Sequence, residues 1–297
     1  MRANHIYQEN CLVTLERMED GYLPLTVTSP PYNVDLGNNK FNKDKSYDTH
    51  DDNLTHEAYM DSMKLIFSKL FQKTQSGGRC VINIGDGKNG RVSTHSDYIQ
   101  MMSEIGWMPM ANIVWNKRNV SARTAWGSYG SPSAPSLPMP FEYIMVFAKD
   151  SYKLPQPENK SELMDITKEE FVEWSLALWE FSGASRKKIG HPAPFPIELP
   201  LRCIKLFSWD TSVIYDPFMG SGTTALACLQ TNRTYIGSEI SEAYITLAEN
   251  RIKELTSDKK VVSNDSQRTH LLGGVIDMKT HMEGVCDPKC WCQEEII

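Results

Sequence analysis

Val213-Ile214-Tyr215-Asp216-Pro217-Phe218-Met219-Gly220-Ser221-Gly222-Thr223-Thr224-Ala225 reads as a strand, a turn and the start of a helix. A β-prone run ends in an acid, and Pro217 donates no ladder hydrogen bond, so the chain leaves the sheet there. The glycine-rich turn follows, and Ala225-Leu226-Ala227-Cys228-Leu229 continues as a buried helix whose first N–H groups are open to a ligand. Gly220-x-Gly222-x-x-Ala225 fits the loose dinucleotide fingerprint, a weak signal alone. A phosphate-cradling P-loop is disfavoured because the Lys before Ser/Thr is missing. Downstream, Arg233-Thr234-Tyr235-Ile236-Gly237-Ser238-Glu239 is a second strand ending in an acid, at the separation that puts a carboxylate on a ribose. Together the two strands imply an adenosine-containing cofactor on an α/β sheet.

Far upstream, the apolar run Leu23-Pro24-Leu25-Thr26-Val27 runs into Thr28-Ser29-Pro30-Pro31-Tyr32-Asn33. Two prolines stiffen this loop and leave backbone carbonyls that no neighbouring N–H claims, beside a hydroxyl and an aromatic face. Such a loop loses little entropy on meeting a planar polar ring that bears an amine. Alone, a Pro-Pro pair after a strand is most often an ordinary turn. The Gly-rich stretch is what lifts the functional reading.

Taken together, Ser29-Pro30-Pro31-Tyr32 and Asp216-Pro217-Phe218-x-Gly220-Ser221-Gly222-Thr223-Thr224 resemble the catalytic tetrapeptide and the cofactor loop of the amino-directed DNA methyltransferases that use S-adenosylmethionine. The order, catalytic loop first, resembles the β group of that family. The resemblance covers roughly residues 5 to 255, one ordinary domain with an insertion. It implies a doubly wound, mostly parallel α/β sheet of the Rossmann-like methyltransferase type, circularly permuted, with a recognition insert. It also implies S-adenosylmethionine as cofactor, double-stranded DNA as substrate and, in the usual role, a cognate restriction endonuclease acting separately; a solitary or phage-borne enzyme would look the same.

The site residues carried over by the resemblance follow the motifs. Ser29 and the Pro30 carbonyl accept from the target amine, Pro31 stiffens the loop, and Tyr32 stacks on a flipped base. Asp216 lies near the methionine amino group, the backbone of Gly220, Ser221, Gly222 and Thr223 beside the methionine tail, and Glu239 on the ribose hydroxyls. Phe218 packs against the adenine or the methyl donor. The family's adenine-binding acid has its nearest matches here in Glu9 and Asn10, and Asn10 accepts through its carbonyl oxygen. Ser as first residue of the tetrapeptide is typical of cytosine-N4 enzymes, which makes cytosine-N4 methylation the favoured reading and adenine-N6 methylation the alternative. Readings from other classes are an NAD(P)-binding oxidoreductase, which leaves Ser29 to Tyr32 unexplained, and a silent DNA-binding homologue.

Bulk properties agree with a globular α/β enzyme. The 297 residues are 40% hydrophobic and 23% charged, and no apolar run approaches bilayer-spanning length. The N-terminal stretch lacks a secretory core, and seven scattered cysteines suit a reducing compartment, so a cytoplasmic location is expected. The net charge of −6 argues against a generic polyanion binder without excluding a local basic face.

Along the chain, Tyr7 to Leu15 reads as a turn and a short helix. Asp35 to Asn53 is a polar loop placed to close over substrate. A helix is expected from Thr55 to Lys73, with Met63, Ile66, Phe67, Leu70 and Phe71 as core, and Gly77-Gly78 as its stop. Arg79 to Ile84 and Met110 to Trp115 are strands, Tyr98, Met102 and Ile105 mark a helix between them, and Asp86 is a turn residue. Residues 1–116 and 191–256 form the catalytic domain, and 117–190 the recognition region, with a returning strand near 142–148. In that region Thr167 to Phe181 is expected as one helix opened by a Thr167-x-x-Glu170 capping box. Its basic residues Lys117, Arg118, Arg123, Arg186, Lys187 and Lys188, together with Asn33, are the candidate DNA contacts. The polar tail 257–297 holds His281, Cys286, Cys290 and Cys292 in a spacing that matches no usual zinc pattern, and no metal is expected.

Overall fold

The computed structural model describes residues 1–33, 54–87, 90–118, 127–128, 130–135, 137, 139–184 and 195–265, with side chains up to residue 257. The 35–53 loop, Arg123, Arg186 to Lys188 and the cysteine-bearing tail lie outside these residues. The chain divides into two compact units, Met1–Thr256 and Ser257–Ile297, and the sheet belongs to the first.

Among the described residues the strands are β1 (His5–Gln8), β2 (Leu23–Thr28), β3 (Thr74–Ile84), β4 (Met108–Asn116), β5 (Phe141–Ala148), β6 (Leu178–Glu180), β7 (Val213–Asp216) and β8 (Thr234–Glu239). They form one sheet in the order β1-β8-β7-β2-β3-β5-β4-β6. Within it β5 runs antiparallel to both of its neighbours, and the remaining pairings are parallel. On one face lie α1 (Cys11–Glu16), α2 (His56–Lys73) and α3 (Thr94–Ile105), which cover Leu23, Cys80, Ile82 and Phe147. Against the other face pack α4 (Lys168–Trp174), α5 (Glu198–Phe207), α6 (Thr223–Gln230) and α7 (Glu242–Asp265) through Trp174, Cys203, Ala227 and Ala248. Apolar residues thus cover both faces, as a doubly wound parallel sheet requires.

The permutation appears in the strand order. From β2 the chain moves outward through β3, β4, β5 and β6, then returns to β2's other side with β7 and β8. The crevice beyond the carboxyl ends of β2 and β7 is therefore a topological switch point, where open α/β sheets place ligands.

Several local expectations are corrected. His5 to Gln8 pairs with β8 as an edge strand, so part of the expected opening turn is sheet. Thr55 caps α2 by accepting from the Ala58 amide at 3.2 Å. The Gly pair does not stop α2, because β3 begins directly at Thr74 and includes Gly77 and Gly78. Gly77 has φ +73° and a Cβ there would sit 2.1 Å from the Lys153 carbonyl oxygen, so the glycine serves a close backbone approach. Asp86 is more than a turn residue: its carboxylate accepts from the His95 amide at 3.1 Å and so caps α3, whose own N-cap Ser93 makes no side-chain bond. The capping box at Thr167 and Glu170 is present, but α4 ends at Trp174 and the chain then adds β6 to the sheet edge. Burial of Trp174 and Trp179 decides this, while Phe171 and Leu178 are exposed.

Replacing Gly77 with Ala is expected to destabilise the protein at the upper end of the about 1–3 kcal/mol range for backbone held in a disfavoured region, read from the midpoint of urea denaturation.

Candidate active site

One cavity opens at the switch point, and both sequence motifs line it. Ser29, Pro30, Pro31 and Tyr32 form one wall; Phe218, Gly220, Ser221 and Thr223 form another, closed by Glu239 and Ile240 from the end of β8. The turn between β1 and α1 contributes Glu9, Asn10 and Cys11, and Phe195 lies across it. Met63 and Ile66 of α2, expected as core alone, are buried yet also line this cavity, together with Tyr59 and Ser62.

Asp216 builds the site from beneath its wall. Its side chain is buried; Oδ1 accepts from the Thr28 hydroxyl at 2.7 Å and the Phe218 amide at 3.0 Å, and Oδ2 from the Thr224 hydroxyl at 2.6 Å. These bonds tie the end of β2 to the Gly-rich turn and to the first turn of α6. The carboxylate is thereby turned inward to protein donors, and Asp216 is not among the residues lining the cavity. Desolvation pushes its pKa up to about 6, against the lowering effect of the hydrogen bonds from Thr224, Thr28 and Phe218.

The turn itself is clamped from behind. Gly222 has φ +77°, and a Cβ there would come within 2.7 Å of the Ala248 methyl, so α7 packs against the turn as only glycine allows. Arg251 of α7 donates to the Ser221 carbonyl, to its hydroxyl at 3.0 Å and to the Thr223 hydroxyl at 3.2 Å. Glu239 accepts from the Gly220 amide at 2.8 Å and from the Ile240 and Ser241 amides at 2.9 Å each. Burial outweighs these bonds and raises its pKa. Asn10 lines the cavity, but its side-chain oxygen caps α1 by accepting from the Leu12 amide at 2.9 Å. The neighbouring Glu9 carboxylate accepts from Thr14 at 2.7 Å and pairs with Arg17. The Cys11 thiol is pushed by burial up to about 12 and stays protonated.

In the proline loop the Ser29 hydroxyl donates to the Asn83 carbonyl at 3.1 Å, and the Asn83 amide donates to the Tyr32 phenol oxygen at 3.0 Å and to Glu142 at 2.9 Å. Asn83 and Glu142 escape a reading of the sequence: each lies inside an ordinary strand run, and nothing local marks either as polar and buried. Among the candidate DNA contacts, Asn33 donates to the Leu54 carbonyl at 2.6 Å, Lys117 pairs with Glu142, and Arg118 pairs with Glu180 at 3.2 Å.

Comparison with known proteins fits this geometry. A DNA methylase family model, that of the N6 and N4 enzymes, matches residues 23–250. The type II methyltransferase M.MjaVI of Methanocaldococcus jannaschii is 39% identical over 170 residues, covering 56% of this chain and 80% of that protein. M.MjaI of the same organism is 28% identical over 272 residues, 80% of this chain and 88% of the relative. Among solved structures, a putative DNA modification methylase from Thermus thermophilus, complexed with S-adenosyl-L-methionine, superposes with a TM-score of 0.65 at 25% identity over 84% of this chain and 95% of that one. The cytosine-N4-specific PvuII methyltransferase, 19% identical with a TM-score of 0.61 over 86% of this chain and 91% of its own, shares the fold.

Because the folded pKa of Asp216 stands above its ordinary value of 3.8, the group's contribution to stability is present below that value and is lost as pH rises through about 6. Asp216→Asn, an isostere of the protonated acid, is therefore expected to gain stability relative to the parent protein between about pH 4.5 and about pH 7.5, measured by denaturant unfolding at both.

Proposed function

The chain belongs to the DNA methylase family of N6 and N4 enzymes, and on that premise we propose that it transfers the methyl group of S-adenosylmethionine to the exocyclic N4 amine of a cytosine flipped out of double-stranded DNA. The observation that carries this reading is that the Ser29 to Tyr32 loop and the Gly220 to Thr223 turn, nearly two hundred residues apart, line one continuous cavity.

The residues present suit the cofactor. Glu239 at the end of β8 offers a half-buried carboxylate, the group that accepts from a ribose diol. Phe218, Ile240 and Phe195 offer apolar faces to a purine, and the Gly-rich turn brings backbone close to the ligand. When bound, S-adenosylmethionine supplies an electrophilic sulfonium methyl. The internal bonding of Asp216 gives that acid the role of holding the turn, with the ligand contacts left to Glu239 and the backbone. Asn10, with its oxygen on the α1 cap, orients the β1–α1 turn at the cavity edge.

An exocyclic amine is a poor nucleophile because its lone pair is delocalised into the ring. Acceptors aimed at its hydrogens localise that lone pair and stabilise the positive charge that develops on attack. The Ser29 hydroxyl is suited to this: it donates to the Asn83 carbonyl at 3.1 Å and lies 3.4 Å from the Tyr32 phenol oxygen, which leaves an oxygen lone pair to accept from the amine. The Pro30 carbonyl supplies the second acceptor. Tyr32 replaces part of the stacking that the base loses on leaving the duplex. No covalent intermediate with the protein is required. The basic residues Arg118, Arg123 and Arg186 to Lys188, with Asn33, are proposed to face the DNA backbone around the flipped base.

Purified protein incubated with unmethylated DNA and S-adenosylmethionine is expected to yield N4-methylcytosine on nucleoside mass spectrometry. N6-methyladenine instead would keep the amino-directed mechanism and overturn the assignment of the base. In the same assay Ser29→Ala is expected to lower kcat about 10²-fold, in line with removal of one preorganised polar group at a reacting centre, while cofactor binding by calorimetry stays within about twofold.

A further inference from the structure

A polar chain crosses three strands on the sheet face below Tyr32. Asn83 of β3 stands opposite Ile144 of β5, and Glu142, two residues earlier, projects from the same face of β5. Trp115 of β4 stands opposite Glu142, and Lys117 follows Trp115 by two residues. The side chains meet on this diagonal: Lys117 to Glu142, Glu142 to the Asn83 amide at 2.9 Å, and that amide to the Tyr32 oxygen at 3.0 Å. Glu142 is 8% exposed, and its stem lies where a Cβ on Gly85 would be 3.3 Å away.

A buried carboxylate is costly unless it is paired and hydrogen-bonded, and here Lys117 supplies the counter-charge. Lys117 is itself held in place, with its ammonium 5.4 Å from the centre of the Trp115 ring and its amide on the Pro140 carbonyl at 2.9 Å. The carboxylate next to Asn83 allows one orientation of that amide. Reversed, the amide would press its oxygen on the anion. In the allowed orientation both N–H groups are used, and Oδ1 is left buried without a partner among the described residues. Leaving a buried acceptor unsatisfied is a cost that a purely structural strand position avoids with an apolar residue.

Building on the methyl-transfer reading, we infer that Glu142 is a positioning residue for Tyr32. Its carboxylate, neutralised by Lys117, fixes the Asn83 amide as a donor to the Tyr32 phenol oxygen and so sets the ring that stacks on the target base. Lys117 is then the counter-charge of this chain instead of a phosphate contact, although it is the first residue of the candidate recognition region.

The test is steady-state methylation by the full chain, varying DNA and S-adenosylmethionine separately. Glu142→Ala is expected to lower kcat about 10- to 100-fold, the scale of a small misplacement of a reacting group, with KM for DNA and the cofactor dissociation constant within about threefold. Lys117→Met combined with Glu142→Gln keeps an acceptor beside Asn83 without a charge, and is expected to recover most of that loss. Unchanged kcat in Glu142→Ala, or no recovery in the double variant, overturns the inference. Should Glu142→Ala fail to bind cofactor, Lys117→Met alone decides. A fall in kcat at constant KM for DNA supports the chain of contacts, and a rise in KM for DNA at constant kcat makes Lys117 a phosphate ligand and overturns it. Inactivity of the unsubstituted protein with cofactor bound would strike the methyl-transfer reading itself.

Discussion

A single buried carboxylate joins the two halves of this protein. Asp216 receives the Thr28 hydroxyl from the central strand β2 across 188 residues of sequence, and the Thr224 hydroxyl and Phe218 amide from its own loop. A carboxylate taken from water is tolerated only where donors replace its hydration, and here those donors are the ends of the elements that must converge. The acid thus sets the distance between the proline loop and the Gly-rich turn. Around it, Arg251 and Ala248 of α7 fix the turn from behind, and Glu239 fixes it from the side through the Gly220 amide.

Positions whose chemistry is local are legible in the amino-acid sequence. The Val213 to Thr224 stretch announces its strand, turn and helix through a β-prone run, a proline and two glycines, and those elements form with strand ends at Asp216 and Glu239. The Ser29 to Tyr32 loop is legible because two prolines leave the chain few alternatives. Features fixed by partners distant in sequence are not legible. His5 to Gln8 becomes a strand only by pairing with β8, and Leu178 to Glu180 only because Trp179 finds the core. Gly77-Gly78 resembles a helix stop because nothing nearby reveals that the Lys153 carbonyl presses on that backbone.

The same division runs through the site. Tyr32, Phe218 and Glu239 stand on the cavity wall, where motif order points. The motif marks Asp216 as important and sets it against a ligand, whereas its partners turn it inward; a motif signals the need for an acid without saying which way it faces. Asn83 and Glu142 sit in runs whose alternation looks like ordinary sheet, and their importance arises from cross-strand register alone. Met63 and Ile66 show that a residue on the apolar stripe of a helix can serve core and cavity at once.

The shared direction of β2, β3, β4 and β6 has a consequence for how such proteins diversify. The connections that follow these strands all depart from the sheet margin that carries Ser29. In the connections after β3, β4 and β6, insertions and substitutions alter what the margin meets while the bonds of Asp216 to Thr28, Phe218 and Thr224 lie elsewhere. What this margin meets can therefore change along the connections after β3, β4 and β6 while the loop after β2 and the layer of bonds beneath it stay as they are.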